Sequence, residues 1–85
     1  KTRIRYRFAG DVQGVGFRFR AYHAAQLLGL TGWVRNEFDC SVTMKVQGEG
    51  VEIDAMLDKI ERGPYIRIED LCTKELSPGS GESSF

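Results

Sequence analysis

The segment Gly10-Asp11-Val12-Gln13-Gly14-Val15-Gly16-Phe17-Arg18 separates two different hydrophobic patterns in this chain. Residues 2 to 9, which precede it, alternate between apolar and basic side chains, as a half-buried strand does. The apolar residues that follow it are spaced as on one side of a helix. Glycine occupies three of the seven positions from 10 to 16, which suits a loop with unusual backbone angles. The segment therefore predicts a strand, a glycine loop and a helix in direct succession.

The strand and the helix beside this loop each have one apolar side. The strand has a core side and a solvent side, formed by Ile4, Tyr6 and Phe8 and by Arg3, Arg5 and Arg7, respectively. The helix has an apolar stripe made of Phe17, Ala21, Ala24, Ala25 and Leu28. Gly29 is well placed to end this helix in a left-handed conformation.

A hairpin and a second helix are predicted next. Residues 31 to 36 and 41 to 47 read as two strands joined by the short segment 37 to 40, and the second strand alternates Val42, Met44 and Val46. A helix is predicted by apolar residues at intervals of three and four, namely Ile53, Met56, Leu57 and Ile60. Gly63-Pro64 ends this pattern.

The C-terminal part is less regular. Ile66, Ile68 and Leu71 mark a fourth strand, and the Ser- and Gly-rich tail from 77 to 85 is predicted to be mobile. The element order is βαββαβ, and two helices with one apolar stripe each need one sheet face to cover. We therefore expect an α+β ferredoxin-like sandwich, an antiparallel sheet with two helices on one face, formed by residues 1–85 as a single domain.

Composition and charge exclude several classes of function. The chain has 85 residues with 12 basic and 12 acidic side chains, so no overall field attracts nucleic acid or an anionic membrane. No apolar run approaches the roughly 20 residues that a membrane helix needs. Cys40 and Cys72 form neither a CxxC pair nor a dense framework, which indicates reduced thiols in a cytoplasmic protein, with a single disulfide as the open alternative.

The glycine loop and Arg18 have the layout of an anion site. Successive N–H groups of such a loop can converge on one phosphate, the helix N-terminus adds partial positive charge, and a guanidinium can hold two phosphate oxygens. The alternative is a simple turn followed by a solvated arginine. Gly14 and Gly16 do not complete a dinucleotide fingerprint, and no Gly-Lys-Ser/Thr follows, so neither nucleotide-binding motif is present.

Asn36 ends the strand of Gly32-Trp33-Val34-Arg35-Asn36, whose tip can lie near the glycine loop in this fold. A side-chain amide offers both a donor and an acceptor, so it can orient a water molecule without titrating. The alternative is that Asn36 only shapes the hairpin turn.

Residues Gly10 to Arg18 resemble the first signature of the acylphosphatase family, and Gly32 to Gly48 are similar to the second. The resemblance extends over nearly the whole chain and implies a ferredoxin-like fold and hydrolysis of acyl phosphates. It implies that Arg18 holds the phosphoryl group and that Asn36 positions the nucleophilic water. The N–H cradle would come from Asp11, Val12, Gln13, Gly14, Val15, Gly16 and Phe17. It further implies no metal, no cofactor and no phosphoenzyme, with an acyl phosphate as substrate and inorganic phosphate as product.

The sequence departs from the family pattern in two places. Cys40 stands where members usually have a turn glycine, which predicts a shifted or a strained hairpin. Only Phe85 remains of a final strand, so we expect the last edge strand to be truncated.

The expected protein is thus a monomeric hydrolase that binds neither nucleic acid nor membrane. Two other functions stay open as alternatives. One is an acylphosphatase-like domain of a carbamoyl-phosphate-using hydrogenase maturation protein, although Phe19 stands where such domains often have proline. The other is a non-enzymatic RNA-binding module that uses the arginine stripe with Trp33, Tyr6 and Phe8, which we expect in the core instead. His23, the single histidine, is predicted to lie on the surface.

Overall fold

Four strands and two helices follow one another in a computed structural model that describes residues 1–79 and Phe85. The elements are β1 (Thr2–Asp11), α1 (Phe17–Leu28), β2 (Thr31–Asn36), β3 (Val42–Gly48), α2 (Gly50–Glu61) and β4 (Arg67–Leu76). This order confirms the predicted βαββαβ succession.

The strands form one antiparallel sheet in the order β2-β3-β1-β4. The core lies on one face of this sheet, beneath both helices, and consists of Tyr6, Phe8, Val12, Phe17, Ala21, Ala24, Ala25, Leu30, Val42, Met44, Val46, Ile53, Met56 and Ile60. Both predicted helical stripes and the alternating strand residues contribute to it, so the periodicity of the sequence decides which side of each element is buried. The predicted ferredoxin-like sandwich is confirmed.

β1 is longer than the sequence predicts, because Gly10 and Asp11 belong to it rather than to the loop. Gly10 has a φ of 125°, and a Cβ there would lie 2.3 Å from the carbonyl oxygen of Arg67. β1 and β4 come so close together at this point that a residue with a Cβ would not fit, which explains why the strand contains a glycine here.

A β-bulge explains the irregular pattern of β4. Ala9 pairs with Asp70 and Gly10 pairs with Ile68, so Glu69 is the extra residue on β4. The bulge shifts the alternation by one position, which places Ile68 and Leu71 on the same face although three positions separate them. The strand also continues to Leu76, beyond the predicted apolar residues.

The residues after β4 are described only in part. The side-chain amide of Gln47 pairs with both the N–H and the carbonyl of Gly79, each at 2.8 Å, and Phe85 packs against the core. The predicted mobility of residues 77–85 and the predicted truncation of a last edge strand fall mainly on residues 80–84, which lie outside the described part of the chain. Both stay predictions.

The sheet face opposite the helices is basic and partly open to solvent, whereas Gln47 on the same face is buried where it pairs with Gly79. Arg5 and Arg7 are exposed there, as their alternation with Tyr6 and Phe8 predicts. The prediction that Trp33 belongs to the core is wrong, because its pairing with Lys45, opposite Arg5, places it on this open face. Partly exposed, it lies outside the core.

Cys40 and Cys72 are both exposed, and no disulfide joins them in the described part of the chain. Their reduced state stays a prediction. Within the described residues, no helix is long and apolar enough to cross a membrane.

Candidate active site

Buried apolar side chains anchor both ends of the loop between β1 and α1. Val12 and Phe17 are 1% and 2% exposed, respectively. The ring of Phe17 packs against that of Phe8, with 4.8 Å between the ring centroids. Residues 13 to 16 between these anchors are partly or fully exposed. The anchors thus hold an accessible loop at the helix-covered face, where the chain leaves β1.

Two glycines determine the path of this loop. Gly14 and Gly16 have φ angles of 73° and 83°, a left-handed conformation that other residues adopt only with strain. A Cβ atom at either position would meet nothing within 4 Å, so the backbone angle and not the available space requires glycine. Backbone of this kind can turn successive N–H groups toward one side and form a concave anion-binding nest.

α1 begins without a side-chain cap. Its N-cap is Gly16, no described side chain caps it, and its first turn contains no acidic residue. The N–H of Arg20 donates to the carbonyl oxygen of Gly16 at 3.0 Å. The N–H groups of Phe17, Arg18 and Phe19 precede this bond and have no helical acceptor. Together with the helix dipole, these groups favour an anion at the start of α1.

Arg18 adds a full positive charge beside these N–H groups. It is exposed in the first turn of α1, and among the described residues no hydrogen bond or ion pair holds its guanidinium. Arg7 and Arg35, in contrast, are bound to Asp39 and Glu37, respectively. The donors of Arg18 are therefore available for a two-pronged contact with a phosphate.

Asn36 lies on the same face and at the same end of the sheet as this loop. Asn36 is opposite Val42 on β3, and Val42 is opposite Phe8 on β1. Directly opposed residues of an antiparallel sheet share a face, and Val42 and Phe8 are fully buried beneath the helices. Adjacent strands are ~4.8 Å apart, so the backbone of Asn36 is about 10 Å from that of Phe8. The fold thus brings the exposed Asn36 to the side of the sheet where α1 begins.

The side chain of Gln13 joins the loop to the hairpin that carries Asn36. Its Nε2 donates to the carbonyl oxygen of Glu37 at 2.7 Å and to that of Ser41 at 2.9 Å. These two carbonyls lie on the two sides of the hairpin turn, and Glu37 directly follows Asn36. The sequence predicts only a backbone contribution from Gln13, so this bridge is a feature that it did not reveal. The feature of the sequence that could have indicated this bridge was the long amide side chain of Gln13 among the glycines of the loop.

The hairpin turn is held by Asp39, Ser41 and Arg7. The Oδ1 atom of Asp39 accepts hydrogen bonds from the backbone N–H of Ser41 at 3.0 Å and from its hydroxyl at 2.5 Å. The guanidinium of Arg7 pairs with the carboxylate of Asp39 and donates to the Ser41 hydroxyl oxygen at 3.2 Å. The hydrogen bonds from Ser41, with a further contribution from Arg7, lower the pKa of Asp39 to about 2. A hydrogen bond from Arg35 likewise lowers the pKa of Glu37.

Cys40 occupies a left-handed position in this turn, with a φ of 73°. A residue with a Cβ costs roughly 1–2 kcal/mol in this conformation. The strand pairing nevertheless stays regular up to Asn36 and Val42. Of the two predicted consequences, strain is therefore confirmed and a shifted hairpin is wrong.

The structure thus brings together the two parts of the predicted site, although Asp11 belongs to β1 rather than to the loop. The roles of Asp11 to Phe17 in binding phosphate, and those of Arg18 and Asn36 in catalysis, stay predictions. Residues 1–79 and Phe85 contain no group of three or more His, Cys, Asp or Glu side chains that could hold a metal ion.

Comparisons with known proteins identify relatives over nearly the whole chain. The sequence model of the family described as Acylphosphatase matches residues 4–85. An acylphosphatase from Oceanobacillus iheyensis is 42% identical over 84 residues, which cover 96% of this chain and 92% of that protein. The crystal structure of acylphosphatase from Bacillus subtilis has a TM-score of 0.90 at 28% identity and covers 100% of this chain and 96% of that one. The crystal structure of T. kodakarensis HypF has a TM-score of 0.84 at 29% identity, over 100% of this chain but 11% of that one. The chain therefore belongs to the acylphosphatase family of enzymes.

Proposed function

We propose that this protein hydrolyses acyl phosphates to a carboxylate and inorganic phosphate at the site formed by the glycine loop, Arg18 and Asn36. The observation that carries the proposal is the start of α1, where left-handed Gly14 and Gly16 precede N–H groups and an arginine that have no partner among the described residues. Such an arrangement favours a small anion with several oxygen atoms. Membership of the acylphosphatase family supports the substrate class.

In this proposal the phosphoryl group is held by the N–H groups of Asp11 to Phe17 and by the guanidinium of Arg18. Phosphoryl transfer passes through a loose transition state with negative charge on the equatorial oxygens. Donors that are already in place stabilise this charge without reorganising during the reaction. The buried anchors Val12 and Phe17 provide the necessary rigidity.

Asn36 positions the attacking water. Its amide oxygen can accept a hydrogen bond from the water while its NH₂ group donates to a phosphate oxygen. The bridge from Gln13 to Glu37 supports this role, because it fixes the hairpin relative to the loop that binds the phosphoryl group. Holding the water in line converts an encounter with solvent into a step within one complex.

The reaction consists of one displacement at phosphorus. A bond forms between the water oxygen and phosphorus, while the bond from phosphorus to the acyl oxygen breaks and its electron pair leaves with the carboxylate. The proton of the water passes to an oxygen of the phosphoryl group, which becomes inorganic phosphate. A carboxylate is a good leaving group, so no general acid is required. We propose that the step uses no metal and no cofactor.

The site is built within one chain, since Gln13, Glu37 and Ser41 join the loop to the hairpin internally. We therefore propose that a monomer is the active form. The two free thiols favour a reducing, cytoplasmic location. Catalysis itself should require no nucleic acid and no membrane.

A domain of a larger protein is the second candidate, since the chain matches 11% of T. kodakarensis HypF. In that case the same site would act within a carbamoyl-transfer protein. Phe19, at a position where such domains often have proline, favours the independent hydrolase.

The direct test is release of phosphate from benzoyl phosphate in the presence of excess EDTA. We expect full turnover, and much slower release from p-nitrophenyl phosphate, whose leaving group is poorer. Loss of turnover on chelation, with recovery after one metal is added back, would contradict the metal-free mechanism. Absence of turnover with and without metals would contradict the proposed reaction.

A further inference from the structure

The open face of the sheet carries a row of directly opposed side chains that hydrolysis does not use. Trp33 on β2 is opposite Lys45 on β3, Lys45 is opposite Arg5 on β1, and Arg5 is opposite Lys74 on β4. The row therefore crosses the whole sheet and places cations on three adjacent strands. At ~4.8 Å between strands, it is roughly 14 Å long.

This arrangement works against the stability of the sheet. Like charges that are directly opposite each other on neighbouring strands destabilise their pairing. The chain has 12 acidic residues, yet none of them occupies a position in this row. A departure from favourable local pairing is typical of a functional surface. Arg5 and Lys74 are thus better suited to binding a negatively charged partner than to holding the sheet together.

The surroundings of the row make a basic, concave surface. Arg5 and Lys74 are exposed, and they line a depression of about 650 Å³ together with Trp33, Arg7 and Arg35. The acidic partners of Arg7 and Arg35, Asp39 and Glu37, belong to the hairpin turn at one end of this depression. Among the residues that the structure describes, positive charge therefore dominates the centre of this depression.

Trp33 gives this surface a flat aromatic group. The guanidinium of Arg35 lies 4.8 Å from the centroid of a Trp33 ring, and the ammonium of Lys45 lies 5.5 Å from it. Aromatic rings and guanidinium planes are the groups on which proteins stack unpaired bases, while neighbouring cations bind the phosphates. An acidic peptide would use the cations but would have no need for this stack.

We propose that this face binds single-stranded nucleic acid, which would cross the strands with a base against Trp33 and Arg35 and phosphates along Arg5 and Lys74. The zero net charge predicts no nucleic-acid partner, but the fold concentrates the positive charge on one face, where a local field is sufficient. A single strand is preferred because its bases can leave the stack and reach the ring. The inference is independent of the proposed hydrolysis.

The test uses a fluorescein-labelled oligouridylate RNA of about 12 nucleotides, a length within the range of single-strand sites. Anisotropy at several salt concentrations gives the dissociation constant, which we expect on the order of 10⁻⁶ to 10⁻⁴ M. Two phosphate contacts predict a slope of about −1.4 in a plot of log affinity against log salt. Trp33 is the single tryptophan, so its fluorescence should be quenched as the RNA binds.

Variants separate the two parts of the proposal. Arg5→Ala and Lys74→Ala should each weaken binding and reduce the slope by about 0.7, because each removes one phosphate contact. Trp33→Ala should weaken binding about tenfold and leave the slope unchanged, because it removes only stacking. The matched controls are Lys59→Ala and Tyr65→Ala, an exposed lysine and an exposed tyrosine outside this face. Both should bind as the wild type does.

A further variant separates this surface from the hydrolytic site. Arg18→Ala should retain full RNA binding, whereas Arg5→Ala and Lys74→Ala should retain full turnover of benzoyl phosphate. Circular dichroism checks that each variant is folded. The proposal is overturned by the absence of binding at low salt, or by loss of RNA binding in Arg18→Ala. It is equally overturned if binding does not respond to Trp33→Ala, or if polyphosphate or anionic vesicles bind more tightly than the RNA.

Discussion

The side-chain amide of Gln13 donates to the carbonyl oxygen of Glu37 at 2.7 Å, so one hydrogen bond fastens the glycine loop to the residue directly after Asn36. A second bond from the same nitrogen reaches the carbonyl of Ser41 at 2.9 Å. The spacing between the phosphate-binding loop and the residue proposed to position the water thus depends on one side chain.

Gln13→Ala should therefore lower kcat far more than it weakens phosphate binding. The loop can still present its N–H groups, but Asn36 loses its fixed relation to them, and a displacement of about 1 Å can reduce the rate roughly 10²-fold. Gln13→Glu should be at least as slow, since a carboxylate cannot donate to the two carbonyls. Steady-state kinetics and phosphate titration measure both effects. Gln26→Ala, on the exposed side of α1, is the matched control. Equal losses in kcat and phosphate affinity would show that Gln13 serves the loop alone.

The turn that holds Asn36 should become less stable in acid. The pKa of Asp39 is lowered from 3.8 to about 2, so its carboxylate stabilises the fold above its ordinary pKa. That contribution is lost as the pH falls from about 4 to about 2. The free energy of unfolding of Asp39→Asn should therefore approach that of the wild type across this range, as urea denaturation can measure. Glu61→Gln, at the end of α2, is the control. A constant difference between Asp39→Asn and wild type from about pH 5 to 2 would contradict this account.

Cys40→Gly should relieve strain in the same turn. At a φ of 73°, glycine avoids the clash of a Cβ atom, although its greater freedom in the unfolded chain offsets part of the gain. We expect Cys40→Gly to exceed Cys40→Ala in free energy of unfolding by about 1 kcal/mol. Thermal and urea denaturation of the two variants give this difference. If the alanine variant is as stable as the glycine variant, Cys40 is not strained.

His23 should have no part in the reaction. It is exposed on α1, where its ring lies 4.3 Å from that of Phe19 and 5.8 Å from that of Tyr22. Neither a guanidinium nor an amide titrates between about pH 5 and 8, so kcat should vary little over this range. His23→Ala should stay within about twofold of the wild-type rate. If kcat of the wild type changed with pH in this range and the change disappeared in His23→Ala, His23 would have a catalytic role.

The fold could be predicted largely because the hydrophobic periodicity agrees with the residues that end helices and strands along most of the chain. Phe17 to Leu28 have helical spacing that ends at Gly29, and residues 3 to 8 of β1 alternate between basic and apolar side chains. β4 was predicted less well, since its bulge at Glu69 depends on the close approach of Gly10, which is a property of two strands distant in sequence. Trp33 was misassigned because hydrophobicity does not reveal which face of an edge strand the helices cover.

The site could be predicted only as two separate segments. Gly14, Gly16 and Arg18 carry a local signal, because left-handed angles and a helix start are properties of the segment itself. The position of Asn36 relative to them depends on strand order, and the Gln13 bridge depends on a contact across 24 positions. No local pattern contains such a contact, so only the folded chain reveals it.

Substitutions of Arg18 and Asn36 should impair the reaction in different ways, because the two residues are assigned to different steps. Arg18→Ala removes the charge that faces the phosphoryl group, and arginines in phosphoryl transfer contribute roughly 10³ to 10⁵ in rate. It should also abolish phosphate binding, and Arg18→Lys should restore little, since a point charge cannot replace a planar fork. Arg62→Ala, which removes an arginine paired with Asp58 at the end of α2, is the control and should be unaffected.

The most direct test is therefore a paired measurement of acyl phosphate turnover and inorganic phosphate affinity for Asn36→Ala and Arg18→Ala, with circular dichroism to verify folding. The account predicts that Asn36→Ala loses turnover and still binds phosphate, because the cradle and the guanidinium are intact while the water is free to move. It predicts that Arg18→Ala loses both. A folded Asn36→Ala with near-normal turnover, or an Arg18→Ala that binds phosphate normally, would contradict the roles assigned to these residues.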